Sequence, residues 1–221
     1  MTGYVRLVDT MGTDLTVVNT ARVSFDKESS ALSLADEKLI EYIVKHGHNS
    51  CLRHCVMTFE IYAPMMVKNQ WIKHMVASAH VEDQNGWNES SRRYVTENEV
   101  FYVPEHFLAA PANKKQGAGE PVDEWTNDIY RLALTRFQEQ GVKLYKQAIA
   151  DGIAPEEARL FLPAYGLYIR WRWTASLNAI LNFLDQRLDK HAQSQIRAYA
   201  TAVEQEVSQA FPITYKAWKS K

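Results

Sequence analysis

Gln70, Lys73 and His74 recur at steps of three and four, so a helix through Gln70-Trp71-Ile72-Lys73-His74-Met75 presents an amide, an ammonium and an imidazole on one face. Met66, Trp71, Ile72, Met75 and Val76 supply apolar faces to bury. The chain then runs into Asn88-Glu89-Ser90-Ser91-Arg92-Arg93-Tyr94, which combines adjacent guanidiniums, a carboxylate, hydroxyls and an amide. That donor and acceptor set suits a phosphorylated, hydrogen-bonding ligand. Arg159 and Arg187 extend it. Asn178, Asn182 and Asp185 form a second polar stripe at steps of four and three, which ends at Arg187. A nucleotide site made from these residues needs no nucleophile from the protein.

Two other chemistries are weaker. The segment His46-Gly47-His48-Asn49-Ser50-Cys51-Leu52-Arg53-His54-Cys55 is rich in zinc-ligand types, but its spacing matches no ordinary finger or ribbon, and no metal is expected. Cys51 and Cys55 lie near histidines, yet Cys55 falls on the inward side of an alternating run, where a thiol is an inert packing group.

The elements that must position these residues follow from periodicity and punctuation. Val5 to Val8 and Leu15 to Val18, separated by Thr10-Met11-Gly12-Thr13-Asp14, read as a hairpin or edge pair. Ser33 caps a helix with Asp36 and Glu37 in its first turn and Leu39, Ile40, Ile43 and Val44 facing inward, closed at Gly47. Cys55 to Tyr62 alternates as a half-buried strand, and Pro64 opens the helix carrying Gln70. Val100 to Val103 reads as a short strand and 109–122 as a surface loop.

Asp123 to Ile149 reads as a long amphipathic helix with Trp125, Ile129, Leu132, Ala133, Leu144, Tyr145 and Ile149 as core candidates, Gly141 as its weak point and Gly152 as its end. Pro155 opens a short helix carrying Arg159, and Leu167 to Thr174 alternates as another strand. Thr174 then caps the helix in which Leu177, Ile180, Leu181 and Leu184 face the core. A last helix, Lys190 to Ala210, buries Ile196, Ala200, Val203 and Val207 and stops at Phe211-Pro212. These elements imply a single α+β domain over 1–221, a mixed or antiparallel sheet packed with long helices.

Composition bounds the partners. With Lys+Arg 25 against Asp+Glu 26 the formal charge is -1, which argues against a nucleic-acid binder acting through bulk charge. No apolar stretch approaches a membrane span, and the amino terminus lacks a signal-peptide pattern, so the expected compartment is the cytoplasm. The cysteines are too close in sequence to make a disulfide framework.

Taken together, Ala21-Arg22-Val23-Ser24-Phe25, Lys45-His46-Gly47-His48, His54, Gln70 to His74, Asn88 to Tyr94, Ala158-Arg159 with Leu162-Pro163, Asn182-Phe183-Leu184, Arg187 and His191-Ala192-Gln193 resemble the flavin-dependent thymidylate synthases over almost the whole chain. The resemblance implies a homotetramer with active sites at subunit junctions. It also implies FAD as cofactor, NADPH as reductant, and methylenetetrahydrofolate as one-carbon donor for converting dUMP to dTMP. Gln70, Lys73, Glu89, Ser90, Ser91, Arg92, Arg93, Arg159 and Arg187 are placed around dUMP, with Arg187 activating the uracil ring. His54, Lys73, His74, Met75, Glu89, Ser176, Leu177, Asn178 and Asn182 are placed at the cofactor. The competing reading for Arg187 is an ion pair at the helix end with Asp185 or Asp189.

The chain departs from the family pattern in places. The family signature is Arg-His-Arg followed at a shorter spacing by Ser, whereas this chain has Lys73-His74-Met75 and then Ser91, the extra length falling within Ala79 to Trp87. Lys for Arg at position 73 loses the planar fork, and position 75 loses a cation. Ser176 and Asn178 stand where the family usually has an amide and an arginine. An insertion there must bulge into solvent or lie over the site. The losses motivate two further readings, a relative yielding another one-carbon product such as hydroxymethyl-dUMP, and a nucleotide- or flavin-binding protein without turnover.

Overall fold

The computed structural model describes residues 2–74, 85–91, 99–111 and 117–221. Its frame is a four-stranded antiparallel sheet of β1 (Tyr4–Met11), β2 (Val56–Pro64), β3 (Asn85–Glu89) and β4 (Tyr168–Ser176), in the order β1-β2-β4-β3. The alternation expected in the two central strands is present. Met57, Phe59, Ile61 and Ala63 of β2 are fully buried and stand opposite Ala175, Trp173, Trp171 and Ile169 of β4. Such same-face pairs across neighbouring strands fix the register, because a one-residue slip would turn the whole apolar set to the other side.

Helices cover this face. Ser33 caps α2 (Leu34–Lys45) as expected, accepting from the Asp36 N–H at 3.3 Å, and the chain leaves the helix through Gly47 at φ 68°. Helix α3 (Met65–Trp71) is anchored by Trp71, whose ring stacks on Phe183 at 4.5 Å and meets Trp171 and Trp173 edge-on at 5.6 and 5.5 Å. Pro64 is its N-cap rather than its first residue.

Several expectations are corrected. Leu15 to Val18 is not a strand but part of α1 (Asp14–Arg22), with Gly12 at φ 88° and a capping box formed by Thr13 and Thr16. β-branched residues lean towards strands, but burial of Val17 and Val18 overrides that weak preference. Asp14 faces the last helix, α8 (Pro212–Lys219), accepting from the N–H groups of Ile213 and Thr214 at 2.9 and 3.0 Å. Phe211-Pro212 therefore ends one helix and begins another, with proline at a position where no N–H is needed. Val100 to Val103 forms only an isolated bridge, Phe101 with Leu167.

The long helix α4 (Glu124–Ala150) exists, but its orientation differs from the expected one. Of the expected core positions Tyr145 is buried and Ile149 packs against its cluster, but Trp125, Ile129, Leu132, Ala133 and Leu144 are exposed, and the inner face is completed by Asn127, Gln138, Gly141 and Ala148. Its buried polar residues are paired: Asn127 Oδ1 accepts from Phe107 N at 2.9 Å, and Gln138 Nε2 donates to the Tyr102 carbonyl at 3.1 Å. Gly141 is a contact point rather than a weak point. A Cβ there would lie 2.7 Å from the Phe161 carbonyl oxygen and 2.7 Å from Pro163 Cδ.

After Gly152, at φ 88°, the short α5 (Pro155–Ala158) leads into the 3-10 turn Arg159–Phe161. Helix α6 (Leu177–Arg187) is capped by Ser176, not Thr174; the Thr174 hydroxyl instead pairs with that of Thr58 across the sheet at 2.9 Å. Helix α7 (Ser194–Ala210) buries Ile196, Ala200, Val203 and Val207 as expected. Among the described residues no helix is long and apolar enough to cross a membrane.

Candidate active site

Six of the expected site residues, Gln70, Glu89, Ser90, Ser91, Arg159 and Arg187, line two separate concavities. Glu89, Ser90, Ser91 and Arg159 line one of about 560 Å³, together with Met65, Leu162 and Ile169. The end of β3 positions its polar edge. Ser90 N–H donates to the Arg170 carbonyl at 2.8 Å, and its hydroxyl accepts from Arg170 N–H at 3.2 Å. Glu89 is held by Lys68 at 3.1 Å. Arg159 Nε donates to the Glu156 carbonyl at 3.1 Å, and the residue lines this pocket. A carboxylate, hydroxyls and a guanidinium so arranged can take a phosphate ester and its polar neighbours.

Gln70 and Arg187 line the other cavity, of about 1200 Å³, with Tyr102, Phe107, Gln138 and Gln195. The anticipated face of Gln70, Lys73 and His74 is split: Gln70 is half-buried, Lys73 is exposed, and His74 is only 4% exposed. His74 turns inward because its imidazole meets Phe183 edge-on at 5.1 Å and its Nε2 accepts from Arg187 Nε at 2.8 Å. Arg187 Nη2 also donates to the Gln70 carbonyl at 3.2 Å. Burial, with the Arg187 charge adding to it, holds the His74 pKa down at about 4, so the ring is neutral at pH 7. Burial also lowers the Arg187 pKa, but a guanidinium stays protonated.

The alternative role for Arg187 is not found. Asp185 Oδ1 accepts from Trp218 Nε1 at 2.9 Å, Asp189 pairs with His191 at 2.8 Å, and among the described residues Arg187 forms no ion pair.

Of the expected cofactor residues, Ser176, Leu177 and Asn178 form the start of α6, whereas Glu89 lies opposite Trp171 at the far end of the β3–β4 pairing. Leu177 N–H donates to the Cys55 carbonyl at 2.8 Å, tying that helix to the turn Cys51–His54 that carries the exposed His54. Asn178 and Asn182 are half-buried, and Asn182 Oδ1 accepts from Gln186 at 3.5 Å; Leu177 is buried, and Ser176 is used as a cap. Amides and an imidazole fit the alternating donors and acceptors of a flavin ring edge. Buried His74 Nδ1 also has no partner among the described residues.

Met75, Arg92 and Arg93 lie outside the described residues, as do 79–84 of the insertion. The remaining end of the insertion is part of the sheet: Asn85, Gly86 and Trp87 pair with Ala175, Thr174 and Trp173, and Trp87 stacks on Trp171 at 5.6 Å. Sequence reading missed Tyr102, Gln138 and Gln195, of which Gln195 donates to the Tyr102 hydroxyl at 3.2 Å. Gln138 could have been found from its spacing to Gly141 and Tyr145, which share its helix face. Neither cysteine lines these pockets, and burial pushes the Cys55 thiol up to about 12.

The fold is α+β, and its two concavities are lined by guanidiniums, hydroxyls and amides, with neither cysteine among the described lining residues, a donor set suited to an anionic, ring-bearing ligand. Residues 6–213 match the family model described as thymidylate synthase complementing protein, and the chain belongs to that family. It is 34% identical over 216 residues to a flavin-dependent thymidylate synthase of Thermosipho africanus, an alignment covering 98% of this chain and 90% of the relative. It is 36% identical over 219 residues to one of Thermus thermophilus, covering 98% and 76%. The crystal structure of the UMP/dUMP methylase PolB from Streptomyces cacaoi bound with 5-Br dUMP has the same fold, with TM-score 0.84, 29% identity, and coverage of 99% of this chain and 95% of that one.

Proposed function

We propose that this chain is a flavin-dependent thymidylate synthase, converting dUMP to dTMP with methylenetetrahydrofolate as carbon donor, FAD as cofactor and NADPH as reductant. The observation that carries the reading is the gathering of Glu89, Ser90, Ser91 and Arg159 into one pocket, with Arg187 held in another. In this reading Arg159 and the serine hydroxyls bind the phosphate, joined by Arg92 and Arg93, while Gln70 and Lys73 contact the nucleoside. A guanidinium fixed beside ring nitrogen-3 favours the anionic ring and pushes electron density to carbon-5, so Arg187 activates the base without transferring its own proton. His54, Asn178 and Asn182 hold the flavin, which supplies the reducing equivalents when bound.

The two pockets are each half of a site, and pairing them between subunits of a homotetramer joins them. Support comes from the apolar stripe Trp125, Ile129 and Leu132 on α4, exposed to 75%, 44% and 52%. The test is to incubate the protein with dUMP, methylenetetrahydrofolate, FAD and NADPH and to weigh the nucleotide. A gain of one CH2 unit is expected. Added CH2O would replace this reading by hydroxymethyl transfer, and unchanged dUMP under all four additions would overturn it.

A further inference from the structure

We propose that His74 is the positioning residue for Arg187: a neutral imidazole that fixes the guanidinium by accepting its Nε–H while leaving its positive charge unopposed. The functional half of this inference rests on the reading of Arg187 as the group beside the pyrimidine; the structural half does not.

The geometry is specific. The His74 ring packs edge-on against Phe183, which is itself fully buried and stacked on Trp71 at 4.5 Å, so the imidazole is seated against the aromatic core. Its Nε2 lies 2.8 Å from Arg187 Nε, and the Gln70 carbonyl takes one N–H of Nη2 at 3.2 Å. A guanidinium has five N–H donors in one plane, so these two bonds fix both its position and its plane. The remaining donors belong to the terminal nitrogens, and Arg187 lines the large cavity.

The choice of partner has a chemical consequence. A carboxylate in the place of His74 would fix the arginine equally well, but at low dielectric it would cancel the field that Arg187 exerts on a bound ring. Among the described residues the carboxylates near this helix end are engaged elsewhere, Asp185 by Trp218 and Asp189 by His191. A neutral acceptor is therefore what the fold supplies. Acceptance at Nε2 also places the imidazole proton on Nδ1.

The experiment compares the wild-type protein with His74→Gln, which retains a neutral acceptor, and His74→Leu, which has none. In nucleotide-free protein labelled on arginine and histidine nitrogen, NMR at neutral pH should show His74 with an unprotonated Nε2. A slowly exchanging Arg187 Nε–H is expected in wild type and His74→Gln and should be lost in His74→Leu. With dUMP, kcat should fall on the order of 100-fold in His74→Leu with KM changing far less, and His74→Gln should recover most of it.

A protonated Nε2, or a protected Arg187 Nε–H and full kcat in a folded His74→Leu, would overturn the proposal. So would a His74→Gln protein that is folded but as impaired as His74→Leu. If His74→Leu fails to fold, the wild-type tautomer and the His74→Gln comparison still decide. A wild-type protein that shows the NMR signature but never alters dUMP would overturn the proposed function and the catalytic purpose of the pair, leaving only the pairing itself.

Discussion

At the scale of the residue, the site depends on groups whose charge is set by where they are buried. His74 has a folded pKa near 4, below the ordinary 6.5, from burial first and the Arg187 charge second. A histidine kept neutral by the fold contributes stability in full above about pH 6.5 and loses it as pH falls towards about 4, because the unfolded chain binds the proton more readily. Arg187 is the charged group bearing on the ring. Melting temperatures of wild type and His74→Gln, compared from pH 7 to 4.5, should therefore diverge, wild type falling more steeply. Parallel curves would show that His74 titrates normally. The grouping of Glu89, Ser90 and Arg159 expected from the sequence is matched by one pocket that all three line, which makes them candidates for the proposed site. The inward turn of His74 was not legible in the sequence, because its partner Arg187 lies 113 residues away and only the packed fold brings them together.

At the scale of the element, the parts that read correctly are those whose period and punctuation agree. Strands β2 and β4 alternate, α2 is capped by Ser33 and left through Gly47, and the apolar residues of α6 and α7 fall on one stripe. Helix α1 was misread because Leu15 to Val18 favours strand locally, while the deciding contact, Asp14 with Thr214, spans 200 residues. Helix α4 was misread because its largest apolar side chains point outward and its inner face uses Gln138 and Gly141. That inner face yields a prediction. Alanine is a better helix former than glycine by ~1 kcal/mol, so Gly141→Ala would stabilise an isolated helix. Here the added Cβ would come within 2.7 Å of the Phe161 carbonyl oxygen, a backbone atom that cannot rotate aside. Overpacking of this kind costs roughly 1–3 kcal/mol, which outweighs the propensity gain. Thermal denaturation should show a lowered Tm, and calorimetry with dUMP a weaker affinity, since the displaced turn carries Arg159. A raised Tm with unchanged affinity would mean the contact is slack.

At the scale of the whole molecule, the subunit leaves large apolar side chains in water. Val23 and Phe25 on the segment joining α1 and α2, and Leu34 at the start of α2, are exposed to 75%, 75% and 77%, besides Trp125, Ile129 and Leu132 on α4. Isolated exposed apolar residues need no explanation, but a stripe at helical spacing on the side of α4 away from its own core does. A tetramer with two kinds of two-fold interface would cover both sets. Leu132→Glu tests this, because a carboxylate on the stripe would be desolvated only if a partner lies against it. Leu132 is half-exposed in the subunit, so far-UV circular dichroism should be unchanged. Light scattering should show dissociation below four copies, and dTMP formation should fall in step, because the Arg159 pocket and the Arg187 cavity would no longer be joined. A Leu132→Glu protein that stays tetrameric and fully active would place the interface elsewhere, and one that dissociates yet turns over normally would show that each subunit holds a complete site.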